Sequence, residues 1–191
     1  MNPLAYLSLA GTVLGINVIP FLMPPTWIIL AFFVAKYHLL LFPVVLIGAS
    51  FATLGRIILA TISRRYFIKL LSQEAKDNYA GIGAYLNSHE NVTIPLMLTY
   101  AFFPIPSNHV FIAAGLARVR IKLLASSFFI GRLISYSFWV SLTRRLSDNL
   151  GDIFSSHYSR IGSVVVEIAG LLLLYFIGRI AWKRILKRMT K

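Results

Sequence analysis

Two arginines stand inside apolar runs where a charge is expensive, Arg56 in Thr53-Leu54-Gly55-Arg56-Ile57-Ile58 and Arg132 in Phe129-Ile130-Gly131-Arg132-Leu133-Ile134. A planar guanidinium donates two parallel hydrogen bonds to a phosphate, so arginines held in such places suit recognition of an anion. Arg132 lies about 15 Å from either end of its predicted helix, at about 1.5 Å per residue, too deep to snorkel and therefore in need of a partner or a cavity. Arg56 is about 10 Å along the axis from Ser63 and has a simpler alternative, reaching the membrane interface.

The second kind of candidate is a broken backbone. Two proline-interrupted segments, Ile19-Pro20-Phe21-Leu22-Met23-Pro24-Pro25-Thr26 and Phe102-Phe103-Pro104-Ile105-Pro106-Ser107-Asn108-His109, occupy corresponding places in the two halves of the chain. In hydrocarbon an unpaired backbone N–H or C=O costs several kcal/mol, so such breaks survive only where protein covers them or a watery cavity opens beside them. Pro24, Pro25 and Thr26, and Pro104, Pro106, Ser107 and Asn108, are accordingly candidate binding residues. Thr26 and Ser107 or Asn108 are suited to cap the short apolar helices that follow, and two helix starts meeting near the midplane would favour an anion. The alternative is a pair of kinked spanning helices with ordinary caps. His109, beside the second break, is a candidate proton relay or a neutral, hydrogen-bonded histidine. Glu167, the only acid inside an apolar run, is a candidate ion-pair or proton-relay residue.

These residues need a membrane to position them. Of the 191 residues 58% are hydrophobic and only 13% charged, with mean hydropathy +0.75, well outside the range of soluble domains. A single integral membrane domain is predicted over 1–191. The net charge of +13 flanks apolar runs rather than forming a basic domain, which favours anionic headgroups as partners and argues against nucleic acid. There is no cysteine. No paired carboxylates, metal-ligand cluster, phosphate-binding glycine loop or hydrolase elbow is visible, so neither enzymatic activity nor a metal or cofactor is expected. Small-residue stripes at Gly11-xxx-Gly15, Gly48-xxx-Ala52 and Ser127-xxx-Gly131-xxx-Ser135 read as close-packing faces, and a homo-oligomer is compatible with them.

The two halves align approximately. Each has a proline break, a short apolar run, basic residues, and a long helix carrying Gly-Arg and ending in Arg-Arg. Repeat 1 is placed at about 17–62, an interfacial helix and loop at 63–91, repeat 2 at about 98–142, a polar connection at 143–162, a C-terminal transmembrane helix at 163–182 and a basic tail at 183–191. If 63–91 and the tail are cytoplasmic, the positive-inside rule is met only when residues 98–116 dip in and return, and by the same logic residues 17–35 dip from the outside. The predicted class is an all-α membrane protein, an inverted repeat of re-entrant hairpin plus transmembrane helix with flanking helices.

The run Phe102 to Gly115, with Gly131-Arg132 downstream, resembles the signature of the DedA or SNARE-associated membrane proteins, the VTT-domain superfamily. The resemblance covers about residues 17–142 and implies two re-entrant hairpins in inverted repeats and the movement of lipids between leaflets, as scrambling or as translocation of phosphate-bearing lipids. The sequence departs from the family's bacterial members: the first hairpin lacks an embedded acid, and Ala101 and Ser107 stand where arginines flank the second proline motif. The expected function is thus a lipid transporter or scramblase for phosphate-bearing lipids, in the plasma membrane of a prokaryote. The alternatives are a proton- or ion-coupled exporter of a small solute using His109 and Glu167, and a noncatalytic scaffold docking through 63–91.

Overall fold

The computed structural model describes residues 3–21, 23–103 and 107–146, the last three by backbone alone, together with Leu172. Pro104, Pro106, Glu167, the connection beyond 146, and the predicted C-terminal helix and tail lie outside the described residues, Leu172 excepted. All regular structure among the described residues is helical: α1 (Pro3–Val18), α2 (Thr26–Tyr37), α3 (Leu41–Arg65), α4 (Gln73–Ser88), α5 (Glu90–Phe102), α6 (Asn108–Leu116) and α7 (Ile121–Leu146), with a 3-10 turn at Phe67–Leu70 between α3 and α4. Of these, α3 and α7 are long and apolar enough to cross a membrane, while α1 and α2 are shorter apolar helices.

Proline sets the breaks. Pro20 stops α1, and Pro25 holds an extended ψ of 130° immediately before α2 begins. The two short helices then end alike. His38 after α2 and Arg118 after α6 are the non-glycine residues with positive φ, 50° and 56°. In both cases a buried residue, Leu39 or Val119, follows, and the long helix starts three residues after the left-handed one. The Gly-Arg pair comes about one helical turn earlier in α7 than in α3.

The packing has a matching plan. α1 lies along α3 and α5 along α7, while α6 packs on α3, α2 on α7, and the two long helices on each other. Leu40 N–H donates to Tyr6 Oη, so the end of α2 returns to the beginning of α1. At the other end Asn87 brackets the turn after α6, donating to Arg118 O and accepting from Arg120 N–H, and Arg120 pairs with Glu90 at the start of α5. Both broken segments are therefore helical hairpins. The first has its open end beside the start of α3. The second has its open end beside the end of α3, where Arg64 Nη2 donates to Val119 O at 2.7 Å.

Around an apolar core the protein also buries several polar side chains and exposes large apolar ones. Asn17, Thr53, Arg56, Ser63, Asn108, His109, Ser127, Arg132 and Ser135 are buried, whereas Leu7 and Phe42 are 70% and 77% exposed. Exposed apolar surface of this kind suits an apolar solvent.

The helices that lead into the two breaks, α1 and α5, begin at Pro3 and Glu90. Two expectations need correction. The supposed loop after the interfacial segment is a helix, α4, capped by Ser72 Oγ accepting from Ala75 N–H. The glycine content there serves contact rather than irregularity, since a Cβ on Gly83 would overlap the Ala117 carbonyl. Finally, Gly48 and Gly131 do sit in close packing, against Leu30 and against Ala101 and Leu98, but a Cβ on Gly11 or Gly15 would meet no described neighbour within 4 Å.

Candidate functional site

The first hairpin's junction is built around Asn17, on the last turn of α1. Its side-chain amide donates to Val13 O at 2.8 Å and to Thr26 Oγ1 at 3.0 Å, tying the end of α1 to the start of α2. Its carbonyl, one of those left without an intrahelical donor at a helix end, accepts from Arg56 Nη1 at 3.2 Å. Gly55 makes the approach close: a Cβ there would lie 2.7 Å from Asn17 Cβ and 3.0 Å from Leu14 O. Arg56 is 5% exposed and turned toward the break, so it does not snorkel. Pro24 and Pro25, between α1 and α2, are half-buried.

The second junction repeats the steric plan with different chemistry. A Cβ on Gly131 would crowd Ala101 Cβ at 2.6 Å and Leu98 O at 3.3 Å, so α7 approaches the last turn of α5 as α3 approaches that of α1. Trp139 Nε1 donates to Phe102 O at 3.3 Å near the end of α5, and the Trp139 ring sits 6.0 Å from Trp27 at the start of α2. Arg132, 6% exposed, has its guanidinium carbon 4.9 Å from the Phe128 ring centre and 5.4 Å from that of Tyr136. Ring faces attract the cation but accept few of its N–H bonds, and Arg132 Nε has no hydrogen-bond partner among the described residues.

The expected caps are used otherwise. Thr26 begins α2 and accepts from Asn17, and Ser107 occupies the cap position of α6 without a side-chain bond to the helix. Asn108 reaches instead across to the other hairpin, its Nδ2 donating to Pro20 O at 2.7 Å. A freed carbonyl at a proline break is a strong acceptor, and a carboxamide beats a local cap when the acceptor has no other donor. The two breaks, 88 residues apart, thus touch, with Ser107, Asn108 and His109 all buried.

Tyr100 and Asn17 belong to this region although neither stood out in the sequence. Tyr100, on α5, lies within the electrostatic reach of both Arg132 and Arg56. The signal for Asn17 was present, an amide at the end of an apolar helix three residues before a proline. Tyr100 had none, because its relation to the arginines comes only from folding. The described acids, Glu74, Asp77 and Glu90, are all exposed. Two buried guanidinium groups face an interior with no buried carboxylate among the described residues, an arrangement that can stabilise an anion. No group of three or more histidine or acidic side chains able to hold a metal ion occurs among the described residues. The chain matches no family model, no curated protein and no solved structure.

Proposed function

We propose that the protein is a multi-pass lipid transporter or scramblase of the DedA/VTT type, moving phosphate-bearing lipids between leaflets along a path lined by two re-entrant hairpins of an inverted repeat, in the plasma membrane of a prokaryote. The observation that carries the reading is the contact of the two hairpin breaks at Asn108 and Pro20, with Arg56 and Arg132 buried on the two long helices. The headgroup phosphate takes hydrogen bonds from the guanidinium groups, Arg132 foremost, while the acyl chains stay in hydrocarbon beside the outward faces of α3 and α7. Passage requires the two tips to part, since in the closed arrangement they are bonded to one another.

The test is exposure of a fluorescent phospholipid to an external quencher in liposomes of purified protein, at neutral and acidic pH. Quenching beyond the outer-leaflet fraction at both pH values, lost in Arg132→Ala, is the expected result. Wild-type rates in Arg132→Ala, with folding intact, would overturn the path. The second reading, coupled export of a small solute, rests on buried His109 beside the second break. It requires transport driven by a proton or cation gradient and abolished by His109→Ala.

A further inference from the structure

A groove of 220 Å³ runs along the outward face of α3 toward its end, lined by Ile57, Ile58, Thr61, Ile62, Arg65 and Tyr66. It is separate from the hairpin junction, because Arg56, Leu59 and Ser63 on the same helix are buried toward the bundle while Thr61, Arg65 and Tyr66 are exposed. Thr61 Oγ1 donates back to Ile57 O at 2.8 Å, leaving the wall effectively hydrocarbon. The mouth is cationic. Arg65 has no ion pair among the described residues, and Lys69 lies with its ammonium 5.8 Å from the Tyr66 ring centre. An apolar trough about 13 Å long, from Ile57 to Tyr66 at 1.5 Å per residue, ends in basic and aromatic side chains.

We propose that this groove binds one anionic phospholipid in the leaflet facing the end of α3, an acyl chain along Ile57, Ile58 and Ile62 and the phosphate at Arg65. The trough matches the amphipathic order of such a molecule, hydrocarbon first and charge at the interface. In a bilayer the chain gains little by exchanging lipid neighbours for isoleucines, so selectivity comes from the headgroup charge. The site does not require that lipid move between leaflets, and it stands or falls apart from the transport reading.

The absence of native cysteine allows a clean probe. Leu54, 45% exposed and one turn before Ile58, is changed to cysteine and labelled with a bimane fluorophore, and the protein is placed in phosphatidylcholine vesicles holding a small fraction of brominated phosphatidylglycerol or brominated phosphatidylcholine. Brominated phosphatidylglycerol should quench as if enriched about fivefold, the preference that one basic residue near the surface confers. Arg65→Ala should bring the two lipids to parity and Arg65→Lys should retain the preference, with lipid flip unchanged in both. Equal quenching in the parent, or a preference that survives Arg65→Ala, overturns the site. So does quenching by neither lipid, which would mean that protein, a second copy or residues 147–191, covers the groove.

Discussion

The α1–α3 and α5–α7 junctions share a steric framework and differ in what they do with the arginine that follows the glycine. In the first, Gly55 admits the last turn of α1, and Arg56 is engaged by the Asn17 carbonyl. In the second, Gly131 admits the last turn of α5, but Ala101 takes the place of Asn17, and Arg132 rests between the rings of Phe128 and Tyr136. A guanidinium bonded to a helix-terminal carbonyl helps hold the fold. One flanked by ring faces keeps N–H donors for a ligand, because cation–π contact stabilises the charge without consuming them. Under the proposed function, that difference leads us to expect a mainly structural role for Arg56 and a mainly ligand-contacting one for Arg132.

The largest expected effect breaks or confirms that division. A hydrogen bond to a charged group contributes about 1.5–3 kcal/mol, so Arg132→Ala should slow lipid flip by about 10- to 100-fold with little change in resistance to unfolding by detergent. Arg56→Ala should lower that resistance and slow flip less. Measuring rate and stability on both variants reads the comparison directly, and a reversed pattern would exchange the two roles.

How much of this was legible in the sequence follows from the range of each interaction. The two long helices, the two breaks and the mid-helix position of Arg132 are local properties of composition and proline placement, and they could be read directly. Burial of Arg56 could not, since 10 Å from an interface permits snorkelling until α1 is known to lie against Gly55. Asn108 has the right type for a helix cap, and only the approach of Pro20 from the other half gives its amide a better acceptor. The glycines of α4 looked like loop residues for the same reason: the Ala117 carbonyl that demands Gly83 comes from a distant segment.

A smaller effect tests the polar tie that the second junction lacks. Asn17→Ala removes the amide bonds to Val13 O and Thr26 Oγ1 but leaves the backbone carbonyl that receives Arg56. Of these only the bond to Thr26 joins two helices, and interhelical hydrogen bonds in membranes average about 0.6 kcal/mol, so a loss of about 0.6 kcal/mol is expected in a reversible detergent unfolding titration. Thr26→Val should cost less, and the double variant should cost no more than Asn17→Ala alone, because both substitutions remove the same bond. Additive losses would mean that Thr26 stabilises the start of α2 by some other contact.

The smallest effect concerns α4, which packs on α5 and α6 and so braces the second hairpin. Its Tyr79 is buried, and burial pushes the phenol from its ordinary 10 up to about 12. Desolvation disfavours the phenolate, so the folded state prefers the proton more strongly than the unfolded state does. That contribution is fully present below pH 10 and is lost as pH rises through about 12. Tyr79→Phe, which cannot ionise, should therefore flatten the alkaline fall in stability across this window while leaving the profile near neutrality parallel to that of the parent. If the bracing by α4 matters to the second hairpin alone, the parent's alkaline loosening should appear first as hydrogen exchange at α5 and α6, with α1 and α2 still protected; simultaneous loosening of both hairpins would show that their contact at Asn108 and Pro20 makes them one cooperative unit.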